Sequence, residues 1–335
     1  MVHTLTLNYE LTIAGNVLFL HRIKEGSLKE KFSYIRENYR KLKQITYCAG
    51  YPPVSVFYNY TYHYINVTID PSIVLEHNPV AADYEAIQQY CDVFIRDVLQ
   101  VWSTFVKEVS LNRIDFNIDY KIKNEEEREI IYFLMRICRD DLYKVVRLSY
   151  KSAITYNPNE GWIEIITYDK EMQERQNYSY EDLIVLNEDD LEYVGIFRTE
   201  VRIKNAKLNY NKTASLGLEK CLSNYLCEDM KKFYWEKYAE KVWFTEDFYR
   251  LDKAIEIVKK SNLKDNMKKK LCTLLRKINK YGYSQARSSY KCKDTFKNHI
   301  NAIRHLNINP LTFEKTFKLE KMENFAKYKS STIDD

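Results

Sequence analysis

The sequence predicts an α+β fold: a mostly antiparallel sheet backed by helices, followed by a small, basic, all-helical C-terminal domain. Three observations predict it. Segments that alternate apolar and polar residues are interleaved with segments of helical spacing over the first 205 residues. After about residue 206 only helical spacing is found. The charge is also divided. The chain of 335 residues has a net charge of +5, but residues 251–335 carry 20 Lys and Arg against 9 Asp and Glu, leaving a net −6 on residues 1–250.

Taken in order, "HTLTLNYEL" alternates and reads as a strand, and "SVFYNYTYHYINVTID" (55–70), aromatic and β-branched, as a strand or hairpin. In "AADYEAIQQYCDVFIRDVLQVW" (81–102), Ile87, Tyr90, Phe94, Val98 and Val101 keep helical spacing. "SLNRIDFNIDYKI" (110–122) alternates strictly, and "EREIIYFLMRIC" (127–138) is helix-like. "GWIEIITYDK" (161–170) and "GIFRTEVRIK" (195–204) are strands again. Beyond them, "TEDFYRLDKAIEIVKKS" predicts a helix capped by Thr245, and "LKDNMKKKLCTLLRKINKYG" one that stops at Gly282. "SSYKCKDTFKNHINAIRHLNINP" predicts a third, ending before Pro310. The expected organisation is a catalytic domain over 1–210, a connection over 211–244, a helical domain over 245–325 and a tail over 326–335.

Composition excludes several classes. At 45% hydrophobic and 14% aromatic, the chain can bury a sizeable core. No run of about 18 apolar residues occurs, and the N-terminal stretch lacks a basic region and a small-residue cleavage site. The seven cysteines form no C-x-x-C pair, as expected of free thiols in a reducing cytoplasm. Walker A, G-x-G-x-x-G and G-x-S-x-G motifs are absent, and the six histidines form no H-x-H pair. His63 reads as a half-buried strand residue. The basic C-terminal third suggests a polyanionic partner; its bland counterpart is a solvated, lysine-rich helical surface.

Alternation also sorts the strand faces. Ile114, Phe116 and Ile118 point one way, and Arg113, Asp115, Asn117 and Asp119 the other. Phe197, Val201 and Ile203 oppose Arg198, Glu200, Arg202 and Lys204, while Glu164, Ile166, Tyr168 and Lys170 share a face. If these strands are neighbours, one surface gathers Asp115, Glu200, Tyr168 and several cations. A solvated outer face with cross-strand ion pairs has the same pattern. The functional version is chemically definite. A phenol with a pKa near 10 is a poor nucleophile at neutral pH. Lys170 would favour the phenolate or steady a phosphate. A hard divalent cation, Mg²⁺ or Mn²⁺, on Asp115 and Glu200, with Asp119 on the same face, would polarise a phosphodiester. Attack by Tyr168 would leave a phosphotyrosine ester that keeps the energy for rejoining.

Four stretches resemble, in order, the replication initiators of filamentous phages and rolling-circle plasmids, the gene II / gene X protein family. They are "YINVTIDPSIVLEHN" (64–78), "NRIDFNID" (112–119), "ITYDKEMQE" (166–174) and "FRTEVRIK" (197–204). "KYGYSQARSSYKCKDTFKNHINAIRHLNIN" (280–309) is similar to the family's C-terminal domain. The likeness spans nearly the whole chain and implies a nickase-like catalytic domain. By it, Tyr168 is the nicking residue, with Lys170 beside it and Asp115 and Glu200 as acidic members. Arg113, Arg198 and Arg202 would contact phosphates or position the carboxylates. Departures are Gln173 at the family's glutamate, with Glu174 one place later, Glu76 for a turn glycine, and an "MVH" start.

The implied activity is initiation of rolling-circle replication in the cytoplasm of a host bacterium. Its partners would be double-stranded origin DNA, single-stranded DNA, a host helicase and a replicative polymerase. No membrane is involved, and a homodimer is compatible. A relaxase or transposase would use paired histidines, which are missing. A non-enzymatic origin-binding protein would tolerate loss of the Tyr168 hydroxyl. An unrelated basic structural protein would leave the four ordered motifs unexplained. A second tyrosine, Tyr156 for example, is an open candidate for the closing transfer.

Overall fold

The computed structural model describes residues 2–24, 42–46, 54–139, 144–147, 153–159, 162–175 and 193–328. Nine strands form one sheet in the order β2-β3-β4-β1-β5-β9-β8-β7-β6, and every adjacent pair is antiparallel. They are β1 (Val2–Leu11), β2 (Leu42–Thr46), β3 (Val54–Asn59), β4 (Tyr64–Ile69), β5 (Val106–Lys121), β6 (Lys144–Arg147), β7 (Ala153–Asn159), β8 (Ile163–Asp169) and β9 (Ile196–Lys204). The α+β, antiparallel reading is thus observed. The aromatic 55–70 segment is a hairpin, and His63 sits in its turn at φ 53°, half-buried but not on a strand.

One face of the sheet is largely apolar. Ile69, Leu5, Ile114, Ile203 and Ile163 stand opposite one another across five strands, each at most 2% exposed. Burying such a row removes five branched side chains from water, about 2 kcal/mol each before chain entropy is counted. Helices cover this face. α1 (Ile13–Lys24) brings Phe19 edge-on to Tyr58, and α3 (Tyr84–Asp97) accepts the Tyr9 hydroxyl on Asp92. α4 (Glu125–Ile137) packs Tyr132 against Phe197. α1 has no counterpart in the sequence reading, because "IAGNVLFLHRIK" contains a glycine and few polar residues to mark a period.

Residues 205–243, which include most of the connection expected over 211–244, fold against the same face. They form α6 (Asn205–Tyr210), α7 (Leu222–Tyr225), α8 (Glu228–Tyr234) and α9 (Glu240–Trp243), with wider i→i+5 turns at Asn211–Ser215 and Trp235–Ala239. Tyr234 stacks on Phe116, and the Trp243 indole N–H donates to Thr167 Oγ1 at 3.0 Å. Two fully buried tryptophans, Trp235 and Trp243, make this stretch part of the core.

Four further helices follow: α10 (Leu251–Lys260), α11 (Asp265–Tyr281), α12 (Tyr283–Ser288) and α13 (Lys293–Arg304). Two expectations are corrected. Thr245 does not cap the first helix: residues Phe248–Tyr249 (β10) pair with Lys321–Met322 (β11), and the helix begins at Leu251. The third helix starts at Lys293, after a separate α12 and a turn. α11 ends at Gly282 as expected, at φ 83°, where the glycine approaches the Ile137 backbone of α4. Near that junction Arg139 lies over the Phe244 and Tyr283 rings. The turn after Trp243 puts Phe244 at φ 60° and is held by two buried asparagines. Asn309 donates to the carbonyls of Trp243 and Glu246, and Asn324 to those of Trp243, Phe244 and Glu246. Among the described residues no helix is long and apolar enough to cross a membrane.

Candidate active site

The second face of the sheet is polar, and the register assembles it. Asp119, Arg198 and Tyr168 stand opposite one another on β5, β9 and β8. Two residues along come Asn117, Glu200 and Ile166, and two further Asp115, Arg202 and Glu164. The expected strand residues Arg113, Asp115, Asp119, Tyr168, Arg198, Glu200 and Arg202 therefore share one face. Lys170 opens α5 (Lys170–Arg175) immediately after β8. The face sorting holds because each strand has apolar residues at alternate positions and one side must be buried.

The Tyr168 hydroxyl donates to Glu200 Oε1 at 2.6 Å. Arg202 donates to Glu200 Oε2 at 3.0 and 2.8 Å and lies 3.3 Å from Asp115 Oδ2. Arg113 binds both oxygens of Asp115, and Arg198 both of Asp119 at 2.7 and 2.8 Å. Asp115 and Glu200 are wholly buried, Tyr168 is 5% exposed, and the site opens to solvent at Arg113 and Arg202. One donor is unspent: Arg198 Nη1 is buried and has no hydrogen-bond partner among the described residues.

The strand-to-helix junction beside Tyr168 is fixed from below. Asp169 accepts the Met172 amide at 3.1 Å, the Tyr132 hydroxyl at 2.7 Å and Arg128 at 3.2 Å. Glu171 accepts from Arg128, Arg175 and the Gly195 amide. Lys170 is left over the Tyr193 ring, 4.5 Å from its centre.

Two members of the cluster were not foreseen. His3 Nδ1 lies 2.9 Å from Asp70 Oδ2, and its Nε2 lies 3.8 Å from Glu200 Oε1. A register shift between Val2 and Thr4 marks a bulge in β1 at His3. Such a bulge is invisible to an alternation count. Asp70 caps α2 (Pro71–Leu75) through the Ser72 amide at 3.0 Å, with Pro71 at the first helical position. Its other oxygen takes the histidine. The "D-P-S" triplet signals the cap in sequence, though not the second use.

Burial, reinforced by the Glu200 charge, pushes the Tyr168 phenol well above its usual value against the pull of Arg198 and Arg202. Burial also raises Glu200, but Arg202, His3 and the Tyr168 hydroxyl outweigh it and hold this carboxyl below its usual range. Asp115 goes up, because burial outweighs Arg113 and Arg202. Burial and the neighbouring Arg198 lower the Lys170 ammonium. The resting tyrosine is therefore neutral, with an ionised acceptor already hydrogen-bonded to it.

The carboxylates expected to hold a divalent cation are committed elsewhere. Both oxygens of Asp115 and of Asp119 accept from arginine, and Glu200 divides between Arg202 and Tyr168. A hard cation would have to compete with these guanidinium groups for the carboxylate oxygens that, with waters and substrate phosphate, complete its shell. In this arrangement Asp115, Glu200 and Asp119 do not fit one. Among the described residues no group of three or more carboxylate, imidazole or thiol side chains is placed to hold a metal.

Tyr156 lies on the other face, fully buried, with its hydroxyl on Cys138 and its ring edge-on to Trp243. A separate cleft of about 840 Å³ opens between α3 and the start of β5, lined in part by Tyr9, Asp92, Trp102 and Lys107. It is on the helix-covered side, whereas the titratable cluster is on the other face of the sheet. A scan against protein-family models finds no match for this chain, and no curated protein matches it.

Proposed function

We propose that the protein is a tyrosine-dependent DNA nicking and closing enzyme that initiates rolling-circle replication. One observation carries the reading: the Tyr168 hydroxyl is hydrogen-bonded to the buried Glu200 carboxyl while the adjacent, buried Arg198 keeps its Nη1 unspent. A nucleophile, its base and an anion-binding donor are what phosphoryl transfer to tyrosine requires.

In the proposed reaction a phosphodiester enters from the side open at Arg113 and Arg202, and a non-bridging oxygen takes the free Arg198 N–H. Tyr168 Oη attacks phosphorus and passes its proton to Glu200 Oε1. The P–O3′ bond breaks, and the 3′ oxygen takes a proton from Lys170, whose ammonium is already destabilised. The products are a 5′-phosphotyrosine and a 3′-hydroxyl primer. In closing, a 3′-hydroxyl attacks the same phosphorus and gives its proton to the now neutral Lys170, the P–O bond to Tyr168 breaks, and the phenolate recovers its proton from Glu200. No step is routed through Mg²⁺ or Mn²⁺, because the carboxylates are paired with arginine. Unwinding would fall to a host helicase.

The test is an adduct assay. Protein is incubated with DNA carrying its own replicon's intergenic region, with and without divalent cation. A protein–DNA species that survives denaturant and disappears in Tyr168→Phe supports the proposal. An adduct kept in that variant moves the nucleophile elsewhere.

A second reading is favoured by the burial of Tyr168. Carboxylates paired with Arg113, Arg198, Arg202 and Lys204 also describe a structural ion-pair network on a sheet face. The protein would then bind DNA without cutting it. Absence of adduct in the wild type, with DNA binding intact, selects this reading.

A further inference from the structure

The C-terminal helices have a surface that the site on the sheet does not use. Residues 261–308 carry twelve Lys and Arg against two Asp. α11, α12 and α13 pack around Leu271, Leu274, Leu275, Ile278, Tyr283, Ala286, Phe296, Ile300 and Ile303, all buried. Tyr283 of α12 meets Phe296 of α13 edge-on at 5.2 Å. The intervening turn, 289–292, is locked by Tyr290, whose ring packs on Phe296 at 5.1 Å and whose hydroxyl bonds His299 Nδ1 at 3.1 Å. A short helix, a four-residue turn and a longer helix on a third supporting helix is the element order of a helix-turn-helix.

The inward stripe of α13 is Phe296, His299, Ile300 and Ile303. Its outward stripe begins with Lys293 and runs through Lys297, Asn298 and Asn301, the last half-buried. Lys291 in the turn is exposed beside it, and α11 adds two more cations. Lys277 reaches Ser289 of the turn at 3.3 Å, and Lys270 bears on α13: burial and its charge together lower the His299 imidazole. None of Lys291, Lys293 and Lys297 makes an ion pair among the described residues. The surface therefore presents a net positive charge, with Asp294 the one carboxylate on the outward stripe, around a row of amide and ammonium side chains.

We propose that α13 is a recognition helix that enters the major groove of double-stranded DNA. Lys297, Asn298 and Asn301 face the base edges, and Lys270, Lys291 and Lys293 meet the flanking phosphates. The groove of B-form DNA admits an α-helix, and asparagine pairs two-pronged with adenine. The deep, narrow major groove of an RNA duplex excludes such a helix. A membrane surface is disfavoured because Tyr281 is the one exposed large hydrophobic residue in 261–308. The inference deepens the proposed origin recognition and rests on that reading for the identity of the polymer.

The test uses the full chain with a duplex of about 25 base pairs and the matching single strand, long enough for one recognition helix and its flanks. Lys291→Glu/Lys293→Glu is expected to weaken duplex binding at least tenfold. It should also flatten the slope of log K against log salt by about two, one for each phosphate-proximal cation removed. Asn298→Ala/Asn301→Ala is expected to keep affinity for mixed sequence and to lose preference among duplexes selected from a randomised pool. Lys291, Lys293 and Asn298 are exposed and Asn301 is half-buried, and unchanged thermal unfolding checks the fold of both double variants. Duplex affinity within twofold of wild type in the charge variant overturns the proposal, as does wild-type protein that prefers an RNA duplex. An unaltered preference in the asparagine variant overturns base reading by those residues. Covalent adduct on the single strand is scored in parallel. Loss of duplex binding with no adduct from any protein supports this inference while removing the nicking reading.

Discussion

Tyr168 and Glu200 meet on a diagonal: the tyrosine stands opposite Arg198 in the β8–β9 register, yet its hydroxyl reaches two residues along to Glu200 Oε1 at 2.6 Å. The pairing gives the phenol an acceptor and leaves its register partner to serve an anion. Tyr168→Phe should abolish covalent adduct without unfolding the protein, and Glu200→Gln should slow adduct formation by about 10²–10⁴-fold, the usual worth of a positioned base. Tyr156→Phe, on the opposite face, should leave it unchanged. Denaturing gel assays of the three variants check this; equal rates in wild type and Glu200→Gln would remove the base.

Arg198 is 3% exposed and holds Asp119 with two of its nitrogens. Asp119→Asn leaves a buried guanidinium without its counter-charge, at a cost of about 3 kcal/mol in stability. Arg198→Lys keeps the charge but cannot hold Asp119 and offer a third N–H at once. Adduct formation should fall about 10²-fold in this variant, in line with the loss of one oxyanion donor. Urea unfolding measures the first effect and single-turnover adduct kinetics the second.

Burial raises the Glu171 carboxyl, but Arg128, the Gly195 amide and Arg175 outweigh it and hold it down at about 2. A carboxyl lowered in the folded state stabilises above its unfolded value, near 4.3, and that contribution fades as pH falls toward 2. Glu171→Gln should therefore be less stable than wild type at pH 7. The gap between the two should close between about pH 4.3 and pH 2. Thermal unfolding across that range tests it; a gap independent of pH means the charge of Glu171 is not what matters.

Asn324 and Asn309 donate to the carbonyls of the turn at Trp243–Glu246. Asn324→Ala strands buried acceptors and should cost about 2 kcal/mol, with Asn309→Ala similar. The two share the Trp243 carbonyl, so the double variant should fall short of the sum. Denaturant midpoints of the four proteins measure the coupling.

Arginine pairing of Asp115, Asp119 and Glu200 predicts that the DNA-free protein shows no saturable Mn²⁺ site below about 1 mM, unlike dedicated carboxylate sites. Water proton relaxation during a Mn²⁺ titration reads this directly. A stoichiometric site of micromolar affinity would mean that Arg113 and Arg202 swing away from the carboxylates.

Strand faces were legible because Ile114, Phe116 and Ile118 alternate with Arg113, Asp115 and Asp119, and one side of a sheet has to be buried. What each charge does was not legible. Alternation says that Asp115 and Arg202 share a face, but only register says that Arg202 reaches both Asp115 and Glu200. His3 was hidden for a related reason: a one-residue bulge moves a side chain across the sheet without leaving a mark in composition. The helical end shows the converse limit. Ser288–Pro310 has a continuous helical texture, yet the tyrosines at 283 and 290 pack on Phe296 and fold the chain into helix, turn and helix. Trp235 and Trp243 lie in short, irregular helices whose period is too brief to register. Two tryptophans in nine residues were the available sign that 205–243 is core.

The strand order also sets a sequence of events in time. β9 lies between β5 and β8, although the chain makes it after both. Until residues 196–204 have emerged, β5 and β8 each keep an open edge, and the sheet exists as two separate halves. Synthesis from the N-terminus at about 5–20 residues per second leaves those edges unpaired for several seconds, long enough to pair with other chains. The strand that closes the gap also delivers Arg198, Glu200 and Arg202, so a nascent chain cannot acquire the polar cluster before it acquires the sheet. Substitutions that weaken β9 should then show first as poor yield in the cell, and only afterwards as lost stability in the purified protein.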